Sequence, residues 1–169
     1  MGTLYLVRHG QASFGADDYD QLSALGYLQC VRLGEYFRRG GRRFDAVLTG
    51  TLKRHAQSLA GIAEGMECSL APVECPGLDE YDSEAVIRAI HPQPLARPDT
   101  PELFRHHFRL LREGLLRWMA GSAAPEGMPS HAEFVAGVRD ALDHVRGAYV
   151  GDVLIVSSGG PISTAVGQV

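Results

Sequence analysis

The chain has 169 residues, 45% apolar and 21% charged, with a net charge of −4 at neutral pH. That size suits one globular domain burying about two thirds of its unfolded surface. The acidic balance argues against nucleic acid as the main partner, since no basic excess exists to release counterions. No apolar run approaches the ~18 residues of a membrane helix, so no membrane partner is expected. Cys30, Cys68 and Cys75 have no metal-like spacing and suit a reducing compartment. The first residues lack the charged and long apolar regions of a signal peptide. Leu6 stands where a myristoyl signal needs Ser or Thr. The expected location is the cytoplasm.

Thr3 to Gly10, Thr-Leu-Tyr-Leu-Val-Arg-His-Gly, reads as a buried strand that runs into a cation, an imidazole and a glycine. His9 suits a nucleophile or base, and Arg8 suits an anion holder beside it. The commoner alternative is a structural histidine at a strand end. Gln11 to Gln21 reads as a loop. Ser23 is the expected N-cap of a helix over Ala24 to Arg39, with Leu25, Leu28, Val31 or Arg32, Gly34 or Glu35, and Tyr36 at rough helical spacing. Gly40-Gly41 stops it. Arg38, Arg39, Arg42 and Arg43 fit a solvated helix end favoured by the macrodipole, or a docking patch for anionic partners.

Phe44 to Thr49 forms a second expected strand, and Thr49-Gly50-Thr51 a turn. A helix follows over Leu52 to Met66, with Leu52, Ala56, Leu59, Ala60 and Ala63 as its apolar face. Arg54 lies in its first turn, where a cation opposes the macrodipole. It either points into water or joins free backbone N–H groups in an anion site. Leu70 to Val73 is a third apolar piece, followed by the acidic cluster Asp79, Glu80 and Asp82. Ser83 can cap a short helix to about Ile90, and Pro92, Pro94, Pro98 and Pro101 mark an irregular stretch. Periodicity resumes over Glu102 to Ala120, through Leu103, Phe104, Phe108, Leu111, Leu115 and Trp118 or Met119. His106 and His107 are adjacent, so they face different sides and make no metal pair. Gly121 to Ser130 reads as a loop, and His131 to Tyr149 as a helix through Phe134, Val138, Leu142 and Val145.

Asp152 to Val156 is an almost wholly apolar run, as expected of a strand buried on both faces. It ends in Ser157-Ser158-Gly159-Gly160 and reopens as a helix with Pro161 near its first position. Strands alternating with helices imply an α/β fold, a three-layer α/β/α sandwich with a mostly parallel central sheet. Ligands of such sheets sit in crevices at the strand ends.

Together these segments resemble the histidine phosphatase superfamily, also called phosphoglycerate mutase-like. Leu6-Val7-Arg8-His9-Gly10 is its hallmark opening. Leu22-Ser23 with Gly26 and Gln29 is similar to the helix that follows. Val47 to Arg54 is similar to the segment with a second phosphate arginine, Leu78-Asp79-Glu80 to the place of the acidic proton donor, and Val153 to Gly160 to the final strand. The resemblance implies a single domain over residues 1–169, with a helical lid or insert at about 82–130. Val169 falls about two turns into the last expected helix, so the resemblance also implies further chain beyond it.

By that resemblance, His9 would attack phosphorus as a neutral imidazole and become a phosphohistidine. Arg8 and Arg54 would grip the phosphoryl oxygens. Glu80, with Asp82 as the alternative, would protonate the leaving oxygen and then deprotonate water. Gln11, Ser158 and Gly159 would complete the phosphate site. No metal and no cofactor are implied, because two guanidiniums supply the positive charge. The implied partner is a small phosphorylated molecule or phosphate; substrate and oligomeric state are not readable. The implied activity is phosphomonoester hydrolysis, with mutase-type phosphotransfer or a low-activity phospho-ligand binding module as alternatives.

Two departures stand out. The family usually has a second histidine just before the Gly-Gly of the last strand, and Ser158 is found there. Replacing a charged donor by a neutral one costs about 1–2 kcal/mol, a slowing of about 5- to 30-fold, which implies an enzyme of reduced efficiency. Another histidine, such as His131 or His91, can fill the gap by folding back. Gly15 stands about where many members carry a phosphate-binding asparagine.

Overall fold

The structure, a computed structural model, describes residues 2–13, 19–96 and 98–168. Gly15 and Val169, considered above, lie outside the described residues. The elements in order are β1 (Leu4–Arg8), α1 (Ala24–Arg39), β2 (Ala46–Thr49), α2 (Lys53–Met66), β3 (Val73–Glu74), a single 3-10 turn (Pro76–Leu78), α3 (Ser83–Arg88), α4 (Pro101–Met119), α5 (His131–Ala148), β4 (Val153–Ser157) and α6 (Gly159–Val166). No helix among the described residues is long and apolar enough to cross a membrane. The three cysteines are unpaired thiols.

The four strands form one parallel sheet in the order β1-β4-β2-β3. β4 is central and all five of its residues are buried, so both faces of the sheet are covered. Period-two alternation sends Val47, Leu154 and Val156 toward α1 and α2, where they pack with Cys30, Phe37, Leu59 and Ile62. Leu48, Val153 and Ile155 are buried too, on the opposite face. β3 has only two residues and begins where the expected strand, Leu70 to Val73, ends.

Ser23 caps α1 as expected, its hydroxyl accepting from the Gly26 N–H, and Gly40 and Gly41 close the helix. Of the expected face of α1 only Gly34 is fully buried. Leu25, Leu28 and Tyr36 are exposed, and Gly26, Cys30, Gly34 and Phe37 face inward. The reason is the closeness of α1 to α2. A Cβ on Gly34 would collide with the Ile62 carbonyl, and one on Gly65 with the Val31 carbonyl. Small residues win the inner face because the backbones need the space. α2 departs in part: of its expected face Leu59 is buried and Leu52 and Ala63 are half-buried. Ala56 and Ala60 are exposed, while Arg54, His55, Ser58, Leu59, Gly61, Ile62 and Gly65 are buried.

Two compact units emerge from the contacts, Met1–Glu80 with Gly137–Val169, and Tyr81–Ala136. In the second, α3 is capped by Asp82 rather than by Ser83, its carboxylate accepting from the Glu84 and Ala85 N–H groups. Gly114 of α4 lies against Val86 of α3. Trp118 is buried beside Tyr81, His131 and Phe134. Phe108 of α4, expected inside, is exposed.

Candidate active site

The carboxyl ends of β1, β4 and β2 lie side by side. Arg8 pairs with Ser157 and Thr49 with Val156. The chain beyond each strand stays in register for one more step, with the His9 N–H donating to the Ser157 carbonyl at 2.9 Å and the Gly50 N–H to the Val156 carbonyl at 3.4 Å. This is the strand-end crevice where parallel sheets bind ligands. A cavity of about 390 Å³ opens beyond the end of β1, lined by Arg8, His9, Gly10, Gln11, Ala12, Tyr19 and Gln29, with Arg54, Glu80, Ser158 and Gly159 outside that lining.

His9 is half-buried, and its Nδ1 lies 2.7 Å from the Gly10 carbonyl oxygen. A carbonyl only accepts, so Nδ1 carries the proton and Nε2 keeps its lone pair. Burial is the largest influence on this ring, and the electrostatic influence of Arg54, His55 and Arg8 acts in the same direction. The Gly10 hydrogen bond opposes them, and the outcome is a pKa lowered from 6.5 to about 4. At neutral pH His9 is an uncharged imidazole within the field of two guanidinium groups. Gly10 is held tightly. Its N–H donates to the Ser58 hydroxyl at 3.0 Å, and a side chain on it would strike the Gly26 carbonyl.

Arg54 stands in the first turn of α2, where sequence left open a water-facing or an anion-binding role. Its guanidinium is buried and bonds Asp20 Oδ1 at 2.8 Å. Asp20 also accepts from the Lys53 and Arg54 N–H groups, at 2.9 and 3.3 Å. The helix N-terminus and its misplaced cation therefore share one carboxylate, which offsets the macrodipole conflict. The N–H groups expected to be free are occupied by Asp20. The Arg54 guanidinium lies over the Tyr19 ring, 5.6 Å from its centre, and Arg54 Nε is buried with no hydrogen-bond partner.

Glu80 accepts from the Gly160 N–H through both oxygens at 3.1 Å, at the N-terminus of α6. A Cβ on Gly159 would lie 3.8 Å from Glu80 Oε2 and 3.9 Å from Arg8 Nε, so the two charged groups flank this glycine. Asp82 is engaged in capping α3. Gln11 lines the cavity, but its side-chain oxygen is 3.0 Å from the Ser23 hydroxyl and its N–H donates to Gln29. Ser158 is wholly buried, with its hydroxyl 2.7 Å from His55 Nε2.

Sequence reasoning missed His55. Of the histidines considered for the place beside Ser158, His91 packs near His106 and His131 against Trp118. The ring at Ser158 is His55, and Asp79 Oδ1 lies 3.6 Å from its Nδ1. Asp79 is itself anchored by the Thr51 N–H and hydroxyl. Burial would raise the Asp79 carboxyl. The neighbouring His55 and the Thr51 hydrogen bonds outweigh it and hold the group below the usual carboxylate range. A signal existed: His55 shares one face of α2 with Leu59 and Ile62, at helical spacing. Among the described residues no group of three His, Cys, Asp or Glu side chains is arranged to hold a metal ion.

No protein with a curated description matches the chain. Among solved structures, the mycobacterial glucosyl-3-phosphoglycerate phosphatase Rv2419c complexed with VO3 is 21% identical, with a TM-score of 0.65 over 98% of this chain and 80% of that one. YhfR of Bacillus stearothermophilus is 19% identical, with a TM-score of 0.67 over 99% of this chain and 79% of that one. Phosphoglycerate mutase of Bacillus anthracis is 17% identical, with a TM-score of 0.64 over 99% and 79%. At these identities the likeness is one of fold, the α/β fold with a parallel sheet. The model of the histidine phosphatase superfamily (branch 1) matches residues 4–169, nearly the whole chain, and the protein belongs to that superfamily.

Proposed function

We propose that the protein is a phosphomonoesterase that works through a phosphohistidine on His9. The observation that carries this reading is the His9 ring itself, with Nδ1 tied to the Gly10 carbonyl and Nε2 left as a neutral nucleophile. Nε2 attacks phosphorus, and the bond from phosphorus to the ester oxygen breaks. Arg8 and Arg54 offset the charge on the phosphoryl oxygens. Glu80 gives its proton to the leaving oxygen. In the second half it takes a proton from water, whose oxygen displaces the phosphoryl group from His9. The preference for Glu80 over Asp82 rests on its bond to Gly160 beside Arg8, whereas Asp82 caps α3. The substrate is read as a small phosphorylated molecule, with Tyr81–Ala136 as a helical insert in a cytoplasmic enzyme.

The test is hydrolysis of 4-nitrophenyl phosphate without added metal, with the radiolabelled enzyme adduct trapped by rapid quench. Expected are turnover and an acid-labile, base-stable phosphoryl adduct, both lost in His9→Ala. Turnover that survives in His9→Ala overturns the assignment. Glu80→Gln should lower kcat about 10²- to 10⁴-fold.

A further inference from the structure

His55 is a costly residue in its position. The ring is wholly buried, in the first turn of a helix, and its Nδ1 has no hydrogen-bond partner. Yet three elements are shaped around it. The turn after β2 has Gly50, where a Cβ would collide with both His55 Nδ1 and Asp79 Oδ1. The segment after β3 brings Asp79 to 3.6 Å from Nδ1. Directly after β4, Ser158 brings its hydroxyl to 2.7 Å from Nε2. Ser158 is also the N-cap residue of α6, and its hydroxyl makes no capping bond. A serine in that position ordinarily caps its own helix. Here Glu80 serves the Gly160 N–H, and the hydroxyl is directed to the ring. The chain Asp79–His55–Ser158 ends next to the nucleophile, since Ser158 follows the residue that accepts the His9 N–H, and the His9 and His55 rings lie 5.9 Å apart.

We infer that His55 is a positioning residue for phosphoryl transfer, acting on the phosphoryl group through Ser158 as one divided hydrogen-bond donor. This rests on the phosphohistidine reading above. A hydroxyl accepts and donates at once. His55 Nε2–H donates to Ser158 Oγ, and the Ser158 O–H is then turned toward a phosphoryl oxygen. Asp79 lies 3.6 Å from the other ring nitrogen. No covalent bond forms or breaks in this chain, and every proton stays on its own atom. In this reading the Ser158 hydroxyl, wholly buried at the N-terminus of α6, faces the seated phosphoryl group, and His55 supplies orientation and polarisation from a different element.

The experiment compares His55→Ala, Ser158→Ala, the double His55→Ala/Ser158→Ala and the exchange His55→Ala/Ser158→His with the parent, using 4-nitrophenyl phosphate. Each single change should lower kcat about 10- to 150-fold, as for loss of a charge-assisted donor. KM should move less than about threefold, because the donor acts mainly in the transition state. The double variant should match the singles within about twofold, as expected of residues acting as one unit. The exchange, which returns an imidazole to the cavity from the other side, should recover at least about tenfold over His55→Ala. A merely structural His55 would give multiplying losses and no recovery. His55→Gln, which keeps a side-chain N–H, substitutes for His55→Ala if the latter does not fold. A folded His55 variant with parental kcat overturns the inference. A second arm needs no turnover: orthovanadate should raise the melting temperature of the parent and raise it less in both single variants. Parental stabilisation in both overturns the inference, even if turnover surviving in His9→Ala has removed the phosphohistidine reading.

Discussion

His9 ties chemistry and stability to the same proton. Its folded pKa of about 4 lies below the 6.5 of a free imidazole. Between those values the unfolded chain binds a proton that the folded chain refuses. The stability contributed by the neutral ring is therefore complete above pH 6.5 and lost as the pH falls toward 4. Urea unfolding followed from pH 7 to pH 4 should show this loss, and His9→Ala should flatten it. The same shift means that His9 alone does not cut activity near pH 6.5. The acid limb of kcat/KM that it controls should lie near pH 4; a limb at the free-imidazole value would contradict the desolvated environment. A second residue-scale expectation concerns Ser58. Its buried hydroxyl accepts from Gly10 and donates to the Arg54 carbonyl. Ser58→Ala orphans the Gly10 N–H and should cost about 1–3 kcal/mol of unfolding free energy.

At the scale of elements, the crossing of α1 on α2 is decided by glycine. Gly34→Ala should destabilise by about 1–3 kcal/mol through overpacking against the Ile62 carbonyl, even though alanine is the better helix former by about 1 kcal/mol. Gly147 in α5 is the internal comparison, because nothing lies within 4 Å of its missing Cβ. Gly147→Ala should stabilise by about 0.5–1 kcal/mol. Opposite signs for one chemical change, read from denaturation midpoints, would establish that space and not propensity sets the inner face. Helix termini follow the same logic. α2 borrows its capping carboxylate from Asp20 and α6 from Glu80, so loops distant in sequence finish both helices and bring acidic groups to the strand ends.

At the scale of the molecule, the chain's single tryptophan reports on Tyr81–Ala136. Trp118 is buried there and donates to the Pro129 carbonyl at 3.1 Å. Unfolding followed by tryptophan fluorescence, which reports on that unit, and by far-ultraviolet circular dichroism should coincide. Separated midpoints would mean that the smaller unit melts alone.

Local signals carried what depends on neighbours in sequence. The Arg8-His9-Gly10 joint, the Ser23 cap, the α/β alternation and the almost wholly apolar β4 were legible because hydrogen-bonding chemistry and side-chain periodicity act over a few residues. The inner faces of α1 and α2 were not, since hydrophobicity ranks Leu25 and Ala56 above Gly34 and His55 and says nothing about how closely two backbones approach. Only the folded chain brings Asp79, His55 and Ser158 together from three elements, or sets Asp20 on Arg54. Those meetings are made by strand register and helix crossing, distances that no short stretch of sequence contains.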